Sequence, residues 1–107
     1  MVQNLPTIER IVSFITSKVS PEKIILFGSY ARRENNKKSD IDILIIIKNL
    51  GNEREITGSL YKALLNEDIS IPIDFLAVDF DKYNVLKNKT GYIYKNIERE
   101  GRVIYGG

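Results

Sequence analysis

The sequence predicts an α/β (α+β) domain in which a small mixed β-sheet packs with helices, and three observations lead there. Residues 23–27, 40–47 and 71–78 are short, nearly continuous apolar runs with the length and β-branched content of buried strands. Between and around them lie stretches whose apolar residues recur at spacings of three and four, the mark of amphipathic helices. A chain of 107 residues with 43% hydrophobic and 28% charged content suits one domain with one core. The order helix, strand, helix, strand, helix, strand, helices reads as a single unit over residues 1–107, without internal repeat, low-complexity tract or linker.

Each element has its own signal. Leu5, Ile8, Val12, Ile15 and Val19 form one helical stripe, with Asn4 placed to cap it and Pro6 in its first turn. Ser20-Pro21-Glu22 breaks that period, and Lys23 to Phe27 follow as a strand covered on both faces, ended by Gly28. Ser29 to Arg33 can open a short helix, whose free N–H groups and positive dipole end would face an anion. Residues 34–39 are polar and turn-prone, and Asp40 to Ile47 then read as a central strand. A turn at 48–52 leads into a helix from about 53 to 67 carrying Ile56, Leu60, Ala63 and Leu64, weakened slightly by Gly58. Ile71 to Val78 form the third strand, where Pro72 fits only near the start or on an edge. Asp79 can cap a helix carrying Phe80, Tyr83 and Leu86; a last helix carries Ile93 and Ile97 and stops at Gly101, before a short strand at Arg102 to Tyr105.

Composition narrows the chemistry. Sixteen basic against fourteen acidic residues give a net charge of +2, too mild for general nucleic-acid binding by electrostatics, although a small ligand needs only local charge. Without cysteine there are no disulfides or thiolate metal sites, and without histidine a general base must be a carboxylate, a lysine, a tyrosine or a metal-bound hydroxide. Neither a signal-peptide pattern nor an apolar run of membrane-spanning length is present, so a cytoplasmic location is expected.

The candidate site lies in residues 28–42. In a strand alternate side chains share a face, so Asp40, Asp42, Leu44 and Ile46 point one way and the intervening isoleucines the other. Two carboxylates at the mouth of a hydrophobic strand repel each other unless a cation or donor cluster compensates them, and magnesium (Mg2+) prefers such oxygen ligands. Asp74 interrupts the third apolar run, where an unpaired buried charge would be costly. If the two strands are neighbours, Asp74 completes a three-carboxylate cluster able to hold two metal ions for an in-line phosphoryl displacement. Blander readings stand beside these: Asp40 as a polar residue at a loop-to-strand junction, Asp74 as the partner of a basic side chain, and Gly28-Ser29 as an ordinary turn. Arg32, one helical turn from the Gly-Ser start, is the better phosphate candidate, while Lys37 and Lys38 read as a solvated loop face. A second Gly-Ser pair, Gly58-Ser59, has no acidic pair after it and reads as structural.

Gly28-Ser29, ten residues, Asp40-Ile41-Asp42, and a later Asp74 in an apolar strand together resemble the active-site signature of the nucleotidyltransferase superfamily that includes DNA polymerase β. The short length, the Gly-Ser-x-Ala-Arg opening and the Ser-Asp-Ile-Asp closing resemble its minimal nucleotidyltransferase (MNT) group over essentially the whole chain. One departure is Arg33, which stands where members often have glycine and offers one more phosphate contact. The resemblance implies a nucleotidyltransferase fold and transfer of a nucleoside monophosphate, most often AMP from ATP, to a hydroxyl with release of pyrophosphate. It further implies that Gly28, Ser29, Arg32 and Arg33 bind the nucleotide, and that Asp40, Asp42 and Asp74 ligate Mg2+ as the catalytic residues, Asp74 also helping to deprotonate the acceptor.

Short members of that group commonly act as antitoxins to a helical HEPN-type ribonuclease toxin, some by attaching AMP to a toxin tyrosine, so such a toxin is the partner the resemblance implies. Larger transferases of the superfamily hold the acceptor in a second domain, for which 107 residues leave no room, and this disfavours a small-molecule acceptor. A homo-oligomer is compatible with the sequence. The alternative reading is a non-catalytic antitoxin or interaction module that binds and blocks its partner; keeping three mutually repelling carboxylates favours the enzyme.

Overall fold

The computed structural model describes residues 5–36 and 39–107; the cap expected at Asn4 and the loop lysines Lys37 and Lys38 lie outside the described residues. Its elements run α1 (Leu5–Lys18), β1 (Lys23–Phe27), α2 (Gly28–Ala31), β2 (Ile41–Ile47), α3 (Glu53–Leu64), β3 (Ile73–Asp79), α4 (Phe80–Leu86), α5 (Ile93–Glu100) and β4 (Arg102–Gly106). The strands form one mixed sheet in the order β3-β2-β1-β4, with β1 antiparallel to both β2 and β4, and β2 parallel to β3. Parallel neighbours need a crossover, and α3 supplies it.

Alternation along the strands divides the apolar residues between two helical layers. Ile24 and Leu26 of β1 and Ile41, Ile43 and Ile45 of β2 pack with Ile8, Ile11, Phe14 and Ile15 of α1 and Leu60 of α3. Ile25, Leu44, Ile46 and Val78 face the other way and pack with Tyr83 of α4 and Tyr94 and Ile97 of α5. The Tyr83 and Tyr94 rings meet edge to face at 5.8 Å, and the Tyr83 hydroxyl donates to the Glu98 carboxylate, which ties α4 to α5. Covered on both faces, β2 can be almost wholly isoleucine and leucine.

Several boundaries differ from the sequence-based expectation. Asp40 precedes β2 rather than opening it. Ile71 and Pro72 precede β3; the Pro72 carbonyl accepts from Ile41 N–H at 2.9 Å, so the proline contributes an acceptor where it can give no donor. The helix at 53 ends at Leu64, and Leu65, Asn66 and Glu67 continue it only as i→i+3 turns. On the edge strand β3 the Phe75 N–H donates to the Tyr61 hydroxyl from α3 at 2.8 Å. Asp79 caps α4 as expected, accepting from Asp81 and Lys82 N–H and also from Leu50 N–H at 2.9 Å.

Candidate functional site

The site forms where β1 ends, β2 begins and β3 begins. Parallel register sets Asp42 opposite Asp74, and antiparallel register sets Phe27, the residue before Gly28, opposite Asp42. Three segments far apart in sequence therefore meet around one carboxylate. Asp42 lies on the same face as Leu44 and Ile46, the face covered by α4 and α5, as strand alternation requires.

Gly28 is fixed by two constraints. Its φ is +73°, a left-handed conformation that L side chains avoid, and a Cβ built there would collide with Asp42 Oδ2 and lie 3.1 Å from Asp42 Cγ. The glycine lets the backbone at the start of α2 approach the acid of β2. The helix itself is a single turn whose amides, like those of any first helical turn, lack intrahelical acceptors.

That turn closes in a Schellman arrangement: Arg33 N–H donates to the Tyr30 carbonyl at 3.2 Å and Glu34 N–H to the Ser29 carbonyl at 2.8 Å. The motif requires a left-handed residue after the cap, and that residue is Arg33, with φ 60°. An arginine thus occupies a glycine-favouring backbone position, at a cost of about 1–2 kcal/mol.

The carboxylates are not equivalent. Asp42 is half-buried, whereas Asp40 and Asp74 are exposed. The expectation that Asp74 sits in apolar seclusion is corrected here: β3 is an edge strand, and its Asp74 position opens to solvent. Its chemistry comes instead from standing beside Asp42. Burial first, then the charges of Asp74 and Asp40 and a hydrogen bond to Asp74, hold the Asp42 carboxyl above the ordinary aspartate range, with Arg32 opposing them. Each acid therefore disfavours ionisation of its half-buried neighbour, as expected of groups that a cation would relieve. Among the described residues no group of three or more His, Cys, Asp or Glu side chains is arranged as a metal-ligand shell. The donor set is nevertheless all carboxylate oxygen, which fits a hard cation such as Mg2+.

Arg32 borders the acids but is shared. Its Nε donates to Glu34 Oε1 at 2.9 Å, its Nη1 lies 4.0 Å from Glu100 Oε1, and the Glu34 bond, with the surrounding acids, raises the guanidinium pKa. Beside Gly28 and Arg32 a cleft of about 270 Å³ runs between α2 and α5, walled by Phe27, Ile93 and Ile97 with Asn96 and Glu100 at its polar rim. Sequence reasoning assigned no site role to α5. Its signal was available: Ile93, Asn96, Ile97 and Glu100 stand at i, i+3, i+4 and i+7, a single helical face on which two polar residues interrupt the apolar stripe.

Comparison with known proteins accords with this geometry. The family model described as polymerase beta, nucleotidyltransferase matches residues 9–107. Over 86 residues, 80% of this chain and 79% of the relative, the sequence is 35% identical to "Putative protein adenylyltransferase MJ0128" of Methanocaldococcus jannaschii. A second protein of that organism, "Putative protein adenylyltransferase MJ0141", is 44% identical over 34 residues, which cover 32% of this chain and 34% of that one. Among solved structures, a toxin-antitoxin with AMP-PNP superposes with a TM-score of 0.63 at 21% identity, covering 94% of this chain and 73% of that one. A nucleotidyltransferase from Sulfolobus solfataricus, so described with the qualifier "putative", gives 0.62 at 19% identity, covering 95% and 79%. With its Gly-Ser turn packed on the first of two paired strand acids, the chain belongs to the polymerase β nucleotidyltransferase family of enzymes.

Proposed function

We propose that this chain transfers AMP from ATP to a hydroxyl of a partner protein, a HEPN-type toxin, and releases pyrophosphate. The observation that carries the reading is the in-register pair Asp42 and Asp74 with Gly28 packed directly on Asp42, which joins a phosphate-side turn to an acidic pair. The names of the M. jannaschii relatives support adenylyl transfer to protein. The toxin-antitoxin described with AMP-PNP supports both a toxin partner and an adenine nucleotide.

In this reading Gly28, Ser29, Arg32 and Arg33 hold the triphosphate, the backbone N–H groups and guanidinium charges meeting its oxygens. Asp40, Asp42 and Asp74 would hold Mg2+, which when bound supplies charge stabilisation at the entering and leaving oxygens of an in-line displacement. The acceptor oxygen bonds to the α-phosphorus, the bridging bond from that phosphorus to the β-phosphate oxygen breaks, and pyrophosphate leaves. Asp74 suits receipt of the acceptor proton, because it is exposed at the sheet edge and borders Asp42.

The test is incubation with ATP, magnesium and the protein encoded beside this one, followed by the partner's intact mass. A gain of one AMP is expected. Stable binding without mass gain under any nucleoside triphosphate would favour the steric module instead.

A further inference from the structure

Under the proposed function the described residues of 28–42 hold phosphates and metal, and the cleft between α2 and α5 lies directly alongside. Its volume of about 270 Å³, at the low end for small-ligand pockets, suits one moiety of a nucleotide. Its composition is that of a base seat, with apolar Phe27, Ile93 and Ile97 on its walls and a carboxamide at its rim. Gly28 belongs both to the cleft lining and to the packing on Asp42, so the cleft adjoins the acidic pair. Ile93 is 49% exposed, an apolar side chain left open to water at this position.

We infer that this cleft is the nucleoside subsite, with the base against Phe27, Ile93 and Ile97 and its edge read by Asn96. The inference rests on the proposed nucleotide site and deepens it by naming what selects the base. Asn96 has both a donor and an acceptor; Arg99 Nη2 donates to its Oδ1 at 3.1 Å, which orients the amide while its NH2 group and the second lone pair of Oδ1 can still bond. A carboxamide pairs with adenine through the N6 amino group and N7, whereas the matching edge of guanine presents two acceptors, O6 and N7. Glu100 sits at the same rim and is within ion-pairing range of Arg32, so base and phosphate ends of the cleft are linked through α5.

The experiment measures, with magnesium present, equilibrium binding of ATP, GTP and inorganic triphosphate to the wild-type chain and to Ile93→Ser and Asn96→Asp. Both side chains are exposed, and unchanged thermal unfolding verifies that the variants fold. Wild type should bind ATP at least about tenfold more tightly than inorganic triphosphate, the gain coming from the base. Ile93→Ser should lose most of that gain while binding inorganic triphosphate unchanged. Asn96→Asp should shift the ATP-to-GTP preference toward GTP by about tenfold, since a carboxylate accepts only. Equal wild-type affinities for ATP and inorganic triphosphate, or an unaltered ATP-to-GTP ratio in Asn96→Asp, would overturn the subsite alone. Absence of binding by all three ligands would overturn the nucleotide site and the subsite with it.

Discussion

Replacing Asp42 by asparagine should stabilise the metal-free protein while removing its chemistry. Asp42 is half-buried and stands in register with Asp74, and their like charges, with Asp40 nearby, oppose its ionisation. Relief of a cross-strand like-charge pair is worth roughly 0.2–1 kcal/mol. For a domain of this size that corresponds to a rise in Tm of about 1–4 °C. Asparagine keeps the shape and can donate its amide to Asp74.

The gain has a pH signature. The folded-state pKa of Asp42 is raised above its unfolded value, so between the two values the folded chain binds more protons, and wild-type stability falls as pH rises through that window. Asparagine does not titrate. The Tm difference should therefore be fully present at neutral pH and shrink on acidification toward the ordinary aspartate value of about 3.9. Magnesium should reverse the order by binding folded wild type and raising its Tm more than the variant's. Thermal unfolding followed by circular dichroism from pH 4 to 8, with chelator or with magnesium, measures all three effects. A variant less stable than wild type at pH 7 in chelator, or a gain independent of pH, would refute the repulsion between these carboxylates.

Gly28→Ala should lower stability by at least about 1–2 kcal/mol from its left-handed backbone alone, with further loss as Asp42 is displaced, and should eliminate nucleotide binding; an unaffected Tm or affinity would contradict the close packing. Gly58→Ala lies in the interior of α3 with open space where the Cβ would be, so it should add about 0.5–1 kcal/mol without affecting transfer, measurable by urea unfolding. Arg33→Gly should relieve the left-handed strain and, after the greater freedom of glycine in the unfolded chain, gain up to about 1 kcal/mol. A clear loss of stability in that variant would mean that the arginine side chain holds the turn.

Much of this architecture can be read from residue order, because burial patterns are local. The run Ile43-Leu44-Ile45-Ile46 declares a strand covered on both faces, and alternation assigns Asp42 to the face of Leu44 and Ile46 before any partner is known. Strand neighbours are not local. Whether Asp74 meets Asp42 depends on α3 carrying the chain back to a parallel register, which no pattern within β2 or β3 encodes. The same ignorance of strand order made Asp74 seem secluded when it stands on an edge. Arg33 illustrates a different limit: the left-handed turn is dictated by the Schellman bonds to Tyr30 and Ser29, and an arginine gives no propensity signal for it. On α5, Ile93 and Ile97 were legible as an apolar stripe, but its approach to α2 arises from tertiary packing.

The most direct test of the account is the rate of label transfer from α-labelled ATP to the partner by wild type, Asp42→Asn and Asp74→Asn, each at verified Tm and partner binding. The account predicts folded, partner-binding variants whose transfer falls by roughly two orders of magnitude or more. Transfer by either variant at close to the wild-type rate would contradict the placing of catalysis at this acidic pair.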